Sequence, residues 1–134
     1  MICLLRIGDE FTAFLIFEIK YMNMQSECFQ IEAEMPWEDL GNGIQRQVFG
    51  YNDQVMLVKA KFEVGAIGTL HEHHHTQVTY VDSGVFEMTI GTEQKIIREG
   101  DGFYVPPHTI HGCVCIAAGT LIDAFSPARE DFLK

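Results

Sequence analysis

Histidines are concentrated in one short stretch of the sequence, where their spacing could build a metal site. His71, His73, His75 and Gln77 occupy alternate positions, and His111 follows about forty residues after the first of them. Alternate side chains of one extended strand point to the same face. A metal needs three or four convergent lone pairs, and neutral imidazoles are common donors. An exposed histidine patch that scavenges metal would have the same composition, so the residues alone leave both interpretations open.

A second group of residues that could do chemistry lies near the C-terminus. Asp123 and Phe125 alternate, and Arg129 follows four residues later. If Asp123 and Phe125 lie on the same sheet face as the neighbours of His111, they could line one cavity. A carboxylate there could act as a general acid or base, and a guanidinium could bind an anionic substrate through two hydrogen bonds. The alternative is an ordinary surface ion pair between Asp123 and Arg129, with Phe125 in the core.

The elements that must position these residues are short strands separated by turns. No helical period is sustained between residues 45 and 125, and turn signals recur about every eight to twelve residues, which is typical of an all-β sandwich or barrel. The tail at 127–133 predicts one short helical turn. Strands are expected at 44–51, 55–64, 71–81, 86–90, 94–98, 103–105, 110–116 and 120–125, with a loop at 36–43 and a turn at 82–84.

Length and charge narrow the classes of function. The chain has 134 residues, of which 47% are hydrophobic, and this is enough for one domain with a real core. The formal net charge of −10 disfavours a nucleic-acid partner, because a backbone-tracking protein needs a basic face. An anionic substrate would have to be held by a local cation, because the overall field repels it.

Residues 1–27 are predicted to be an N-terminal extension, either an added strand or loose, before a single domain over 28–134. The apolar run at 11–17 is too short to span a membrane, and it lacks the features of a signal peptide, so no membrane partner is expected. The four cysteines form no CxxC pair, which favours reduced thiols and a cytoplasmic setting. Cys113 and Cys115 are expected to act as small buried hydrophobic residues.

Two long spacings resemble the two motifs of the cupin family. The first motif is matched by Gly65, His71, His73, Gln77 and Gly84, and the second by Gly100, Pro106 and His111. Gln77 replaces the usual glutamate, His108 a usual glycine and Cys115 a usual asparagine. The resemblance implies a single-domain, jelly-roll-like small β-barrel (a double-stranded β-helix) with one metal ion bound by His71, His73, Gln77 and His111. His75 misses the family position and is expected either to support a ligand from outside the coordination sphere or to replace one.

The implied ligand set favours Lewis-acid chemistry. Three imidazoles and one amide are neutral, so a divalent ion would keep its full +2 charge. A carboxylate ligand would better support the ferric state of an oxygenase, so Gln77 speaks modestly against that activity. Donor type does not choose among Ni, Zn, Fe, Mn and Co.

A narrower resemblance concerns residues 121–133, which are similar to the C-terminal signature of pectin-degradation cupins of the KdgF type. Members of that family act on 4,5-unsaturated galacturonate, promoting its ring opening and tautomerisation to linear 5-keto-4-deoxyuronate. The resemblance implies catalytic roles for Asp123, Phe125 and Arg129 in an isomerase- or lyase-type enzyme of uronate breakdown. It also implies a small anionic sugar-acid substrate and a homodimer.

Two other functions are compatible with the same residues. A metal-dependent dioxygenase acting on a small organic substrate would consume oxygen with Fe(II). A non-catalytic sensor would bind a sugar acid without turnover, and replacement of Asp123 would change its binding little.

Overall fold

Strands account for most of residues 24–134, the part of the chain that the computed structural model describes. The expected extension therefore lies almost entirely outside the described residues. Single turns of 3-10 helix are found at Glu32–Glu34 and Glu130–Leu133, and the latter confirms the predicted helical tail. No helix among residues 24–134 is long and apolar enough to cross a membrane. The strands are β1 (Glu38–Gly41), β2 (Ile44–Tyr51), β3 (Met56–Phe62), β4 (Ile67–His71), β5 (Thr76–Ile90), β6 (Glu93–Arg98), β7 (Gly102–Val105) and β8 (His111–Ser126).

Two long strands, β5 and β8, hold the two halves of the barrel together. They have 15 and 16 residues and pair with each other antiparallel along both of their halves. The first half of β5 and the second half of β8 are flanked by β7 and by β3, which continues to β2 and β1. The other halves are flanked by β6 and β4. The result is the all-β, jelly-roll-like barrel that the sequence predicts.

The bend of β5 and β8 depends on two glycines that face each other where the strands change layers. Register shifts fall between Val81 and Phe86 of β5. Gly84 has a φ of +87°, and a Cβ atom there would lie 2.6 Å from the carbonyl oxygen of Ala117. A Cβ atom on Gly119 would overlap the backbone of Ser83. Only glycine permits this close approach and the left-handed backbone conformation.

The hydrophobic core lies mainly at one end of the barrel. Phe62, Val81, Phe86, Cys115 and Leu121 are buried there with several smaller apolar residues. The Phe62 and Phe86 rings meet edge to face, with their centroids 5.4 Å apart. A second, smaller cluster contains Met56, Val58, Phe125 and Ala128. Cys113 and Cys115 are both buried, which confirms the role expected for them.

Four sequence expectations about the elements were wrong in their boundaries. The segment 36–43 contains β1 and is not only a loop. The expected turn at 82–84 and the expected break between 116 and 120 both lie inside continuous strands, because bulges bend the chain there without ending the pairing. The expected strand 71–81 is interrupted, since β4 ends at His71 and β5 begins at Thr76.

Candidate functional site

Three elements bring the histidines and Gln77 to one place. His71 is the last residue of β4 and pairs directly with His111, the first residue of β8. His73 lies in the short connection between β4 and β5, where its carbonyl oxygen accepts a hydrogen bond of 2.8 Å from the backbone N–H of His108. Gln77 is the second residue of β5. The prediction that one strand face carries all of them was wrong, but the predicted convergence of His71, His73 and His111 is present.

The three histidines aim their free nitrogens at a common point. Among residues 24–134, His71, His73 and His111 form the group of side chains that could hold a metal ion, with ligand atoms within 4.8 Å of one another. The Nδ1 atom of each lies 2.7–3.0 Å from a backbone carbonyl oxygen, of Thr69, His75 and Thr109 respectively. A carbonyl only accepts, so each Nδ1 carries the proton and each Nε2 keeps its lone pair, which is how second-sphere hydrogen bonds orient metal-binding histidines.

Gln77 completes the donor set with an oxygen. Its side-chain Nε2 donates to Thr79 Oγ1 at 3.0 Å and to Asp123 Oδ1 at 3.3 Å, which turns its Oε1 atom toward His73 Nε2 at 3.1 Å. Both of these facing atoms carry lone pairs, and they repel each other unless a cation lies between them. Within the described residues, the buried Nε2 of His111 has no hydrogen-bond partner either. The donors present therefore fit a divalent metal ion.

Burial keeps the imidazoles of His73 and His111 neutral, as metal binding requires. The pKa of His111 is lowered to about 4, mainly by desolvation and in smaller part by the neighbouring His71 and His73, against the hydrogen bond to Thr109. The pKa of His73 is also lowered, first by burial and then by the positive charge of Arg129. The lone pairs of these two imidazoles are thus available to a metal at neutral pH.

His75 lies beside the triad but outside the group of converging nitrogens. Its side chain is 5% exposed, and its ring centroid is 5.4 Å from that of His73. Its backbone carbonyl receives the Nδ1–H of His73, and within residues 24–134 neither of its ring nitrogens has a hydrogen-bond partner. Burial lowers its pKa, as does the adjacent His74.

A cavity of about 380 Å³ opens beside the triad and is lined by both predicted groups of residues. Asp123 faces it with 9% of its surface exposed and accepts hydrogen bonds from Thr79 Oγ1 at 2.5 Å and from Gln77. Burial raises the pKa of Asp123 to about 6, against the opposing effect of these two hydrogen bonds. The carboxyl group can therefore take up and release a proton near neutral pH. The predicted members of the lining are His71, Gln77, His111, Asp123, Phe125 and Arg129.

Arg129 and Phe125 contact each other at the wall of this cavity. Arg129 makes a double hydrogen bond to Asp131, at 3.0 and 2.9 Å, so the alternative of a surface ion pair with Asp123 is wrong. The guanidinium carbon of Arg129 lies 5.2 Å from the Phe125 ring centroid. Phe125 is 3% exposed, so it belongs to the core and lines the cavity at the same time.

Sequence reasoning missed two residues of this site. Thr79 shares the inward face of β5 with Gln77, and the same alternation that indicated Gln77 could have indicated it. Arg46, on β2, also lines the cavity, and only its place between the inward residues Ile44 and Val48 marks it in the sequence.

Known proteins are similar to this chain in sequence and in fold. Residues 58–122 match the cupin domain family. The chain is 45% identical over 105 residues to pectin degradation protein KdgF of Dickeya dadantii (strain 3937), an alignment that covers 77% of this chain and 96% of that protein.

Two solved structures extend the comparison to the fold. The structure of KdgF from Halomonas sp. is 40% identical, with a TM-score of 0.75 over 78% of this chain and 98% of that one. An RmlC-like cupin from Shewanella frigidimarina NCIMB 400 is 48% identical, with a TM-score of 0.80 over 81% of this chain and 98% of that one. This chain therefore belongs to the cupin family and, within it, to the family of pectin degradation protein KdgF.

Proposed function

We propose that this protein is a metal-dependent enzyme that opens the ring of 4,5-unsaturated galacturonate and tautomerises it to linear 5-keto-4-deoxyuronate. The observation that carries the proposal is the hydrogen-bonded chain from Gln77 to Asp123. It sets a carboxylate that can exchange a proton next to the neutral donor set, inside one cavity. The identity to KdgF proteins over most of the chain supports the substrate class.

The reaction is an isomerisation that needs proton transfer and no oxidant. The C1–O5 bond of the sugar breaks as the C1 hydroxyl gives its proton to Asp123, and the released electron pair stays on the oxygen at C5. Asp123 then gives the proton to C4, and the enolate at C4–C5 becomes a ketone at C5. The raised pKa of Asp123, about 6, suits a group that acts first as a base and then as an acid. Thr79 holds the carboxylate in place through its hydroxyl.

The metal would be held by His71, His73, Gln77 and His111. Because all four donors are neutral, a bound divalent ion would keep its full charge and stabilise the negative charge of an enolate. Phe125 shapes the cavity beside Asp123, and Arg129 offers its guanidinium to the carboxylate of the sugar acid. His75 positions His73 through its carbonyl oxygen.

The experiment that tests this function follows the ultraviolet absorbance of freshly made 4,5-unsaturated galacturonate. We expect metal-loaded protein to accelerate the loss of the conjugated enol ether above its spontaneous rate, and chelated protein to lose that acceleration. If metal-loaded protein does not accelerate the loss, the substrate assignment fails. Oxygen uptake with Fe(II) and sugar-acid binding without turnover then become the two alternatives to measure.

The metal assignment has its own test. We expect His111→Ala to reduce the metal content measured by elemental analysis to about a tenth or less of wild type, because only three donors remain. His108→Ala is the matched control, since His108 lies on the neighbouring loop outside the converging group, and it should keep the metal. The same measurement identifies the native ion among Ni, Zn, Fe, Mn and Co.

The proposal includes a homodimer in the cytoplasm, with residues 28–134 as the catalytic domain after a short extension. An apolar row supports the dimer: Tyr104, Val78, Ala124 and Leu57 lie side by side on β7, β5, β8 and β3, and all but the half-buried Ala124 are exposed. The described cysteines are free, as cytoplasmic cysteines usually are. Light scattering after size exclusion should give twice the chain mass, and Val78→Lys should give the monomer. A monomeric wild type contradicts the dimer.

A further inference from the structure

A second arginine lines the cavity, although it comes from a strand outside both histidine motifs. Arg46 lies on the inward face of β2, and it lines the same cavity as His71, Gln77, Asp123 and Arg129. Its side chain is only 15% exposed. A guanidinium that serves only a surface ion pair has no need of such burial, because exposed pairs contribute little to stability.

Arg46 and Arg129 share one aromatic ring at the cavity wall. The guanidinium carbon of Arg46 lies 3.8 Å from the ring centroid of Phe132, and that of Arg129 lies 4.2 Å from the same centroid. The ring attracts both cations, so both guanidinium groups lie at the same part of the cavity wall. An anion that reaches both groups would be attracted by two positive charges.

Each of the two arginines is held from the outside by an exposed carboxylate. Glu38 accepts hydrogen bonds from Arg46 Nε and Nη2 at 2.8 and 3.2 Å, and Asp131 holds Arg129 in the same way. The carboxylate side chains are 53% and 47% exposed, whereas the arginine side chains are 15% and 12% exposed. In each pair the arginine is thus the more buried partner, and the exposed carboxylate fixes the orientation of its guanidinium group.

Both guanidinium groups keep donors that no partner occupies. A guanidinium has five N–H groups in a planar fork. Within residues 24–134, the hydrogen bonds of each arginine involve only Nε and Nη2, which leaves Nη1 without a partner. In a chain with a net charge of −10, such fixed and unsatisfied cationic donors in a cavity are suited to an anion.

We propose that Arg46 is a substrate-binding residue, which together with Arg129 binds the carboxylate of the sugar acid against Phe132. This inference rests on the proposed function and adds the basis of its selectivity. The two guanidinium groups provide the local positive charge that a carboxylate needs in an acidic protein, and a neutral sugar would leave their donors unpaired.

Steady-state kinetics of the metal-loaded full-length chain test the proposal. With 4,5-unsaturated galacturonate, we expect Arg46→Gln to raise KM about ten-fold or more, with kcat within about three-fold of wild type and metal content unchanged. Arg46→Lys keeps the charge but loses the planar fork, and it should recover part of the loss. Lys59→Gln is the charge-matched control. Lys59 pairs with Glu32 at 2.8 Å and does not line the cavity, so its KM should stay within about two-fold of wild type.

Calorimetric binding of two unreactive sugars separates this inference from the proposed function. Wild type should bind saturated galacturonate more tightly than galactose, and Arg46→Gln should remove most of that preference. If wild type shows this preference but no turnover, the proposed function fails and the role of Arg46 in binding stands. An Arg46→Gln variant with wild-type KM and wild-type galacturonate affinity overturns the inference. A fall in kcat and metal content at unchanged KM also overturns it, because Arg46 would then act through the fold.

Discussion

Strands β5 and β8 contribute residues to both ends of the barrel, and the two ends differ in their inward-facing side chains. At the apolar end their inward residues are Val81, Phe86, Cys115 and Leu121, which need no hydrogen-bond partners. At the site end the inward residues of the same strands are Gln77, Thr79, Asp123 and His111, which are polar and only 2–9% exposed. The same two strands pair with each other at both ends, with bulges between Val81 and Phe86, so the chemical difference between the ends comes from their inward side chains.

The apolar end stabilises the fold, whereas the site end contains groups that the site requires. Burying apolar side chains stabilises the folded chain, whereas buried polar groups cost free energy unless they are hydrogen-bonded. Asp123 is satisfied by Thr79 and Gln77, but the Nε2 lone pair of His111 has no partner among the described residues. A buried nitrogen without a hydrogen-bond partner is unfavourable for folding, and a bound metal ion would supply the missing partner.

The largest expected effect concerns Asp123, at the site end. We expect Asp123→Asn to lower turnover of the unsaturated uronate about 10²- to 10⁴-fold, because an amide cannot take up the proton. Metal content should remain that of wild type, since Asp123 is not in the converging group. Urea denaturation should show no loss of stability, because the change removes a carboxylate that burial disfavours.

Asp82→Asn is the matched control for that variant. Asp82 is an exposed carboxylate on the same strand as Thr79 and Gln77, and its replacement should leave turnover and metal content unchanged. Full turnover by Asp123→Asn would remove the catalytic assignment and with it the functional difference between the two ends.

The next effect is expected at the apolar end. Phe86 is fully buried and packs edge to face on Phe62. We expect Phe86→Ala to lower the free energy of unfolding by about 3–5 kcal/mol, through lost burial and a cavity in the core. The folded fraction at low temperature should still bind metal in the wild-type amount. Stoichiometric loss of metal from the folded protein would show that the two ends are not separable.

Sequence patterns predicted the parts of the fold where strands are regular. The strand 44–51 was predicted with the bounds it has, and the all-β architecture followed from alternation and turn spacing. A turn was expected at 82–84 because Asp82, Ser83 and Gly84 have the composition of a turn, but the strand continues through them. What makes the segment a bulge is Gly119, which approaches it from β8. A local pattern contains no information about a partner so distant in the sequence.

The sequence predicted which residues form the site better than it predicted how the strands bring them together. Spacing typical of cupins indicated His71, His73, Gln77 and His111, although the assumed single strand is broken at residues 72–75. Convergence arises instead because β4 and β8 pair at His71 and His111 while a loop brings in His73. Arg46 was missed because its contact with Phe132 joins positions far apart in the chain. Alternation with Ile44 and Val48 places its side chain inward but does not indicate that contact.

The smallest effect is a pH dependence that the apolar end lacks. In metal-free protein the pKa of His111 is lowered to about 4 from 6.5, so the unfolded chain binds a proton first as the pH falls. Stability contributed by neutral His111 is therefore lost as pH falls from about 6.5 to 4, by about 2–3 kcal/mol. His73 and His75 have lowered pKa values and act in the same direction.

Asp123 opposes this loss, because its pKa is raised to about 6 from 3.8 and the folded chain binds its proton first. Its contribution to stability therefore increases as pH falls through that window, by about 2–3 kcal/mol. Denaturant titrations of metal-free protein between pH 7 and 4 should show a steeper loss of stability on acidification in Asp123→Asn than in wild type. His111→Gln should change in the opposite direction. Parallel curves for all three proteins would mean that neither group is as desolvated as the site geometry requires.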